Sequence, residues 1–527
     1  MYIKKLTACL LIIATLFVVP VFALAEEAAP VVLAPGEHSE AACNHVPIIV
    51  CEGAWHDIYV DAGTPEQAVG WSTGGGGEEI LSEFTDLLPE IPQYIRQEEW
   101  DKIADIMVEF ANAMFGPIRF DGDGNSVNKF DGDLSGMNSE IETRNHKINP
   151  EQREFNYRYD WREDPWLLAE RMHNMIEAVC EATGHSTVNV ASQSGSTVIF
   201  MAYLVRYGTQ RIAALTIRST FHKGSTVLGD LVNGRVKLDA NALSRTNFFK
   251  DFGVPNHEMI MSVLQAAHQA GLLAPLLTTV NRALPRILDR FYENAFVPSV
   301  LTIPMLWAYV PPDDYESGKE FCFGDKKDQY AGLIQKLDRY HYRVKLKADE
   351  LLQETAWKIP VGTYLGYNST LFFGVENSNR DGDGIIDTAL MSMGAICATP
   401  GKRLGVMGVY RQKVNCGHDH ISPGRTVDAS ACLFPEHTWF VRNDPHIGAT
   451  NMVWARWFFD SPKTPSIHTN PQYPQYVQFS SELDTFVPQE IPTLWDKTRE
   501  FFNPMSRMQD FALGLVRFVV FLSTWWI

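Results

Sequence analysis

The sequence predicts an α/β protein, a mostly parallel sheet covered by helices on both faces, and three observations carry that expectation. The first is a β-branched run from Pro47 to Cys51 that stops abruptly at Glu52-Gly53. The second is an alternation of apolar helical spacing from Asp164 to Thr183, a short strand Val188 to Ala191, a sharp turn, a helix Val198 to Tyr207 and a buried strand Arg211 to Ile217. Such strand and helix alternation places strands side by side and in parallel, because each helix crosses a face of the sheet to return the chain. The third is the return of sheet-like sequence at Val361 to Tyr367, Leu404 to Val414 and Thr438 to Val441, after a long helical stretch.

Element by element, residues 1–25 read as a signal peptide. Lys4 and Lys5 precede an apolar run from Leu6 to Phe22, and Ala23-Leu24-Ala25 supplies the small residues a signal peptidase requires. The run is short for a bilayer crossing. Residues 26–44, rich in Ala, Glu and Pro, form an extended lead-in. The core is then expected in two parts, 45–228 and 351–460, with helical patterns from Ile80 to Met114 inside the first. Between the two parts, 229–350 reads as a helical cap, with apolar stretches Met259 to Leu277 and Val280 to Phe296. A cap of this kind commonly walls a substrate cleft. Residues 461–527 form a C-terminal extension. Its apolar stretch Phe511 to Ile527 is interrupted by Arg517, and fits a helix docked on the core or lying in a membrane interface with Trp525 and Trp526 at the headgroups.

A net charge of −18 without clustered Lys and Arg argues against a nucleic-acid partner. Of eight cysteines, Cys9 lies in the signal segment, so an odd seven remain and at least one thiol is unpaired within the chain. Export makes disulfides plausible, and Cys43 with Cys51, or Cys416 with Cys432, are the candidate pairs. No C-x-x-C metal pair is present.

Chemistry concentrates at Ser192-Gln193-Ser194-Gly195-Ser196, between the strand Val188 to Ala191 and the helix Val198 to Tyr207. A serine attacks an ester when its hydroxyl projects from a tight turn, beside a histidine that takes the proton and amides that receive the oxyanion. The α/β-hydrolase nucleophile elbow, G-x-S-x-G, supplies that geometry, and its acid and histidine follow in chain order. Here Ser192 and Ser196 replace the flanking glycines.

These residues resemble the lecithin:cholesterol acyltransferases and related lysosomal phospholipases. Pro47 to Ala54 looks like their strand and oxyanion loop, with Glu52 where a proline is usual, and Tyr159-Asp160-Trp161-Arg162 matches their Y-D-W-R. Arg218 to Ser225 resembles their post-strand segment, Arg380 to Ile386 their acid loop, and Cys416-Gly417-His418-Asp419-His420 their final glycine-x-x-histidine. The resemblance implies an α/β-hydrolase fold with Ser194 as nucleophile, Asp383 as the orienting acid, His420 as the base, and the amides of Ala54 and Gly195 as the oxyanion hole. His418 and His446 compete with His420 for the role of base. Trp161 and Arg162 read as structural.

The expected function is an exported serine acyl-ester hydrolase or acyltransferase, lipase- or phospholipase-like, acting on lipid esters through an acyl-serine, in the periplasm or outside the cell. Its partners are then a lipid or other acyl-ester substrate and a membrane surface or lipid aggregate. The alternative is a catalytically weak hydrolase fold serving as an envelope or binding protein with calcium-stabilised loops. No cofactor is required, but structural calcium is an option at Asp121, Asp123 and Asn125, which have metal-loop spacing with Asp131 and Asp133 following. Asn379, Asp381, Asp383, Gly384 and Asp387 also fit calcium-loop positions, although Leu390 stands where a bidentate glutamate is wanted.

Overall fold

The computed structural model describes residues 45–489 except 55–57, 61–67, 72–89, 91–92, 95–96, 129, 131–151, 252–256, 406–408, 448–451, 481–482 and 484. The signal segment, the lead-in with Cys43, the acidic pair Asp131 and Asp133, and the C-terminal apolar stretch lie outside the described residues.

The main sheet has eight strands: β1 (Ile48–Cys51), β2 (Glu154–Tyr157), β3 (Val188–Gln193), β4 (Ile212–Arg218), β5 (Val361–Tyr367), β6 (Thr438–Arg442), β7 (Tyr476–Ser480) and β8 (Thr485–Pro488). Their order across the sheet is β8-β7-β6-β5-β4-β3-β1-β2. Every neighbouring pair is parallel except β7 with β8. The α/β expectation is met.

Alternate residues of each strand enter different cores, as a strand's period of two requires. Ile48 and Val50 of β1, Tyr364 of β5 and Trp439 and Val441 of β6 pack with Trp454, Ala455 and Phe458 of the helix Met452–Asp460 on one face. Ile49 and Cys51, Leu365 and Phe440 join the larger core on the other face. That second core takes in α1 (Trp100–Phe115), α2 (Pro165–Thr183) and α3 (Ser196–Tyr207). α2 starts where Asp164 caps the Trp166 amide with Pro165 in the first turn, and stops at Gly184, whose φ of 71° few other residues adopt cheaply.

Helical sequence fills the interval between β4 and β5, from the helix Thr226–Val232 to the helix Ala348–Ala356, slightly wider than the expected 229–350. Within it the amphipathic helix Leu273–Phe291 packs on α1. Leu264 and Leu276 are buried and belong to the main core, whereas Leu272 is 63% exposed. Among the described residues no single helix is long and apolar enough to cross a membrane.

Two boundaries differ from expectation. The core does not end near residue 460, because β7 and β8 extend the sheet beyond β6. And the described part of Leu404 to Val414 forms no strand: Leu404 is buried, Val409 and Val414 are exposed, and the segment is tied to Asp428 by the Tyr410 hydroxyl (2.8 Å) and the Lys413 amide (2.7 Å).

Candidate active site

Ser194 sits at the junction of β3 and α3 with φ +49°, a value a non-glycine residue holds only where its surroundings enforce it. Its amide donates to the carbonyl of Arg218 at the end of β4 (2.9 Å), so the neighbouring strand fixes the turn. Close packing also explains Gly195. A Cβ there would collide with Tyr309 Oη and lie 3.2 Å from the amide nitrogen of Ala54. The backbones of Ala54 and Gly195, the two expected oxyanion donors, therefore adjoin beside the serine. Tyr309 is an addition that sequence reasoning missed. Its hydroxyl is buried, has no hydrogen-bond partner among the described residues and faces the same spot.

The serines that replace the usual flanking glycines are integrated into the elbow. Ser192 and Ser196 are buried, with their Oγ atoms 2.9 Å apart, and Ser196 Oγ lies 2.9 Å from the carbonyl of Cys51 in β1 while accepting from the Gln193 amide (3.0 Å). Glu52 is likewise partnered, its carboxylate pairing with Arg158 at 3.0 Å. The Y-D-W-R segment is structural. Tyr159 donates to the Glu52 carbonyl (2.9 Å), Trp161 is fully buried, and the buried Arg162 is paired with Asp160.

The histidine at Ser194 is His446, not His420. Ser194 Oγ and His446 Nε2 are 2.8 Å apart, and His446 Nδ1 lies 2.8 Å from Asp383 Oδ2. Asp383 is buried, which alone would raise its pKa. The adjacent His446 and the amides of Ile385 and Ile386 on its other oxygen (3.0 and 2.8 Å) outweigh burial and hold the carboxyl below its ordinary range. An ionised carboxylate can only accept, so Nδ1 carries the proton and Nε2 presents its lone pair to the serine hydroxyl. Two backbone anchors steady the imidazole: its amide donates to the Asp383 carbonyl (2.9 Å), and Arg218 donates to the carbonyl of Pro445 (3.0 Å). Phe221 meets the ring edge-on at 5.4 Å.

His420 is engaged elsewhere. It is fully buried, its Nδ1 is 2.8 Å from Gln475 Oε1, and its carbonyl accepts from Tyr476 Oη (2.7 Å) at the start of β7. His418 pairs with Glu436 (3.1 Å). His446 was findable as the histidine four residues beyond β6, in the loop that follows the strand after the acid.

The calcium-loop alternative for Asp383 fails on orientation. Asn379 accepts from Asn241 (2.6 Å), Asp381 from Thr388 (2.6 Å) and Asp387 from Thr226 (2.8 Å), so these groups point to separate partners. In the second candidate loop, Asp121 Oδ1 accepts from the amides of Asp123 (3.0 Å) and Asn125 (2.8 Å), as in a hydrogen-bonded turn. The Lys336 ammonium lies 3.0 Å from Asn125 Oδ1 and also bonds the Gly124 carbonyl, so a cation of the chain itself already serves those oxygens. Of the two expected cysteine pairs, Cys416 and Cys432 do not bond to each other and are free thiols among the described residues, and Cys43 of the other pair lies outside the described residues.

Asp381, close to the acid loop, has its carboxyl pushed up to about 7 by burial. Its folded-state pKa thus exceeds its ordinary value of 3.8, so the native state binds more protons and stability falls as pH rises from about 4 to about 7. Asp381→Asn keeps an acceptor for Thr388 and removes this titration. Thermal melts at about pH 5 and pH 8 should show a lower Tm at the higher pH in the wild type, equivalent to a stability loss on the order of a few kcal/mol, that shrinks in the variant. An identical pH dependence in both would contradict the assignment.

No protein-family model matches this chain, and no curated protein matches it.

Proposed function

We propose that the protein is a serine acyl-ester enzyme of the α/β-hydrolase type, with Ser194, His446 and Asp383 as its catalytic triad and lipid esters as its substrate class. The observation that carries this reading is the continuous hydrogen-bonded relay from Ser194 through His446 to Asp383, with both links at 2.8 Å, built on a strand-to-helix turn of positive φ. The order of the parts supports it as well. The nucleophile follows β3, the acid lies beyond β5 and the histidine follows β6, which is the arrangement and chain order of α/β-hydrolases.

In this mechanism His446 Nε2 takes the Ser194 proton as Oγ attacks the ester carbonyl. The tetrahedral oxyanion forms beside the amides of Ala54 and Gly195, with the Tyr309 hydroxyl as a further donor. The protonated His446 then gives its proton to the departing alkoxide, leaving an acyl-serine. Water or an acceptor alcohol, deprotonated by the same imidazole, releases the acyl group, so hydrolysis and transfer share one path. The lipid preference rests on the resemblance to lecithin:cholesterol acyltransferases and lysosomal phospholipases, and export on the residue pattern of 1–25.

A fluorophosphonate probe tests the reading directly, because it phosphonylates only an activated serine. The expected result is a single adduct mapped by mass spectrometry to Ser194 and absent in Ser194→Ala. Folded wild-type protein that stays unlabelled would instead favour a binding role on a hydrolase scaffold.

A further inference from the structure

We propose that Cys416, His418, His420 and Glu436 form a zinc site at the end of β6 opposite the triad. One ligand atom from each of these side chains lies within 4.8 Å of the other three. The donor set, a thiolate, two imidazoles and a carboxylate, is one that zinc takes in closed four-ligand sites.

The decisive observation is the state of His420. Gln475 donates its amide nitrogen to the carbonyl of Pro435 (2.7 Å), which leaves its Oε1 as the group facing His420 Nδ1 at 2.8 Å. That oxygen can only accept, so Nδ1 carries the proton and Nε2 holds a bare lone pair. The ring is fully buried and Nε2 has no hydrogen-bond partner among the described residues. It faces Glu436 Oε1 at 3.4 Å. A bare lone pair on a buried nitrogen 3.4 Å from a carboxylate oxygen is repelled by it unless a cation bridges the two. Gln475 thus does for His420 what outer partners do for metal-bound histidines generally, fixing the tautomer and aiming the free nitrogen. His468 plays a similar part for Glu436, holding Oε2 at 2.7 Å, while Oε1 lies between His418 Nδ1 (3.1 Å) and His420 Nε2 (3.4 Å), two nitrogens that a metal would draw together with it.

Zinc bonds of about 2.0–2.3 Å put tetrahedral vertices roughly 3.5 Å apart, so closing the cluster asks for shifts of about an ångström. Cys416 and His418 are exposed and can supply them. The site's place in the fold argues for a structural role. Glu436 lies in the turn entering β6 and Gln475 directly precedes β7, whereas His446 lies beyond the other end of β6. A bound zinc would fasten the loop ahead of Val427 to the entries of both strands. It would also employ Cys416 as a thiolate, consistent with its having no disulfide partner.

The test uses the purified full chain, stripped with a chelator and titrated with ZnCl2 by calorimetry, with CoCl2 as a spectroscopic probe. One zinc per chain is expected, with a rise in Tm. Cobalt should give intense tetrahedral d–d bands and a thiolate-to-cobalt charge-transfer band. Cys416→Ser should abolish the charge-transfer band and weaken zinc binding by ~100-fold, and His468→Ala should weaken it by roughly 10–100-fold. Both residues are exposed, so these variants can be compared folded. Ser194→Ala should bind zinc like the wild type, which separates this proposal from the catalytic one. Absence of stoichiometric binding, or binding that Cys416→Ser leaves unchanged, overturns it.

Discussion

His446→Ala is expected to lower kcat for a soluble short-chain ester by roughly 10⁶, the scale seen when a triad base is removed from a serine hydrolase. The size follows from what the imidazole does. Without it the serine hydroxyl has no acceptor for its proton as Oγ attacks, and the leaving alkoxide has no donor as the intermediate collapses. His446 lies 2.8 Å from both Ser194 Oγ and Asp383 Oδ2, so the base and its orienting acid act through this one ring. His420→Ala provides the contrast. That variant loses the link to Gln475 and the proposed metal ligand, so the damage should appear mainly as a lower Tm, with kcat measured below the melting transition staying within about tenfold of wild type. If His420→Ala removed turnover and His446→Ala did not, the sequence-derived base would be right and the geometry around Ser194 would not be that of the working enzyme.

Much of this site was legible before any coordinates. Val188 to Ala191 and Arg211 to Ile217 are β-branched, buried runs with one structural reading, and the intervening Ser194-Gly195 turn announces itself by small residues. Asp383 was recognisable from its glycine-flanked loop after the strong strand β5. The base was misplaced because Gly417 and His420 offer a local glycine-x-x-histidine pattern, while the features that select His446 are tertiary. They are the pairing of β6 with β5 and the Arg218 contact that holds the Pro445 carbonyl. The apolar residues from Leu404 to Val414 made a strand before His420 plausible, yet the described part forms no strand and leaves Val409 and Val414 exposed. β7 and β8 were missed for the opposite reason. β8 is the edge strand and β7 its neighbour, and their half-exposed residues show little of the continuous apolar signal that marks interior parallel strands.

Asp383→Asn is expected to cost about 10⁴ in kcat and to slow fluorophosphonate labelling of Ser194 in parallel while leaving the fold in place. The substitution keeps the size of the side chain but changes what it offers the imidazole. The carboxylate of Asp383 accepts from Nδ1 and, in the proposed mechanism, stabilises the imidazolium that forms during attack. An asparagine can turn its amide nitrogen to the ring, which favours the tautomer with the proton on Nε2 and leaves no lone pair for Ser194. The backbone supports this reorientation. The amides of Ile385 and Ile386 both donate to Asp383 Oδ1, so an asparagine oxygen is held on their side and its nitrogen is left facing His446. The variant should therefore regain activity as pH rises, if hydroxide or a water can take over part of the base's role, while the wild type should show no such dependence over the same range. Chelation is the control for the competing role of this residue. Because Asn379, Asp381 and Asp387 are each committed to other partners, a calcium chelator should leave wild-type kcat unchanged even where zinc removal lowers the Tm. An Asp383→Asn protein with most of its activity intact, together with a calcium-dependent wild type, would transfer the carboxylate from the triad to a metal loop and leave His446 without its orienting acid.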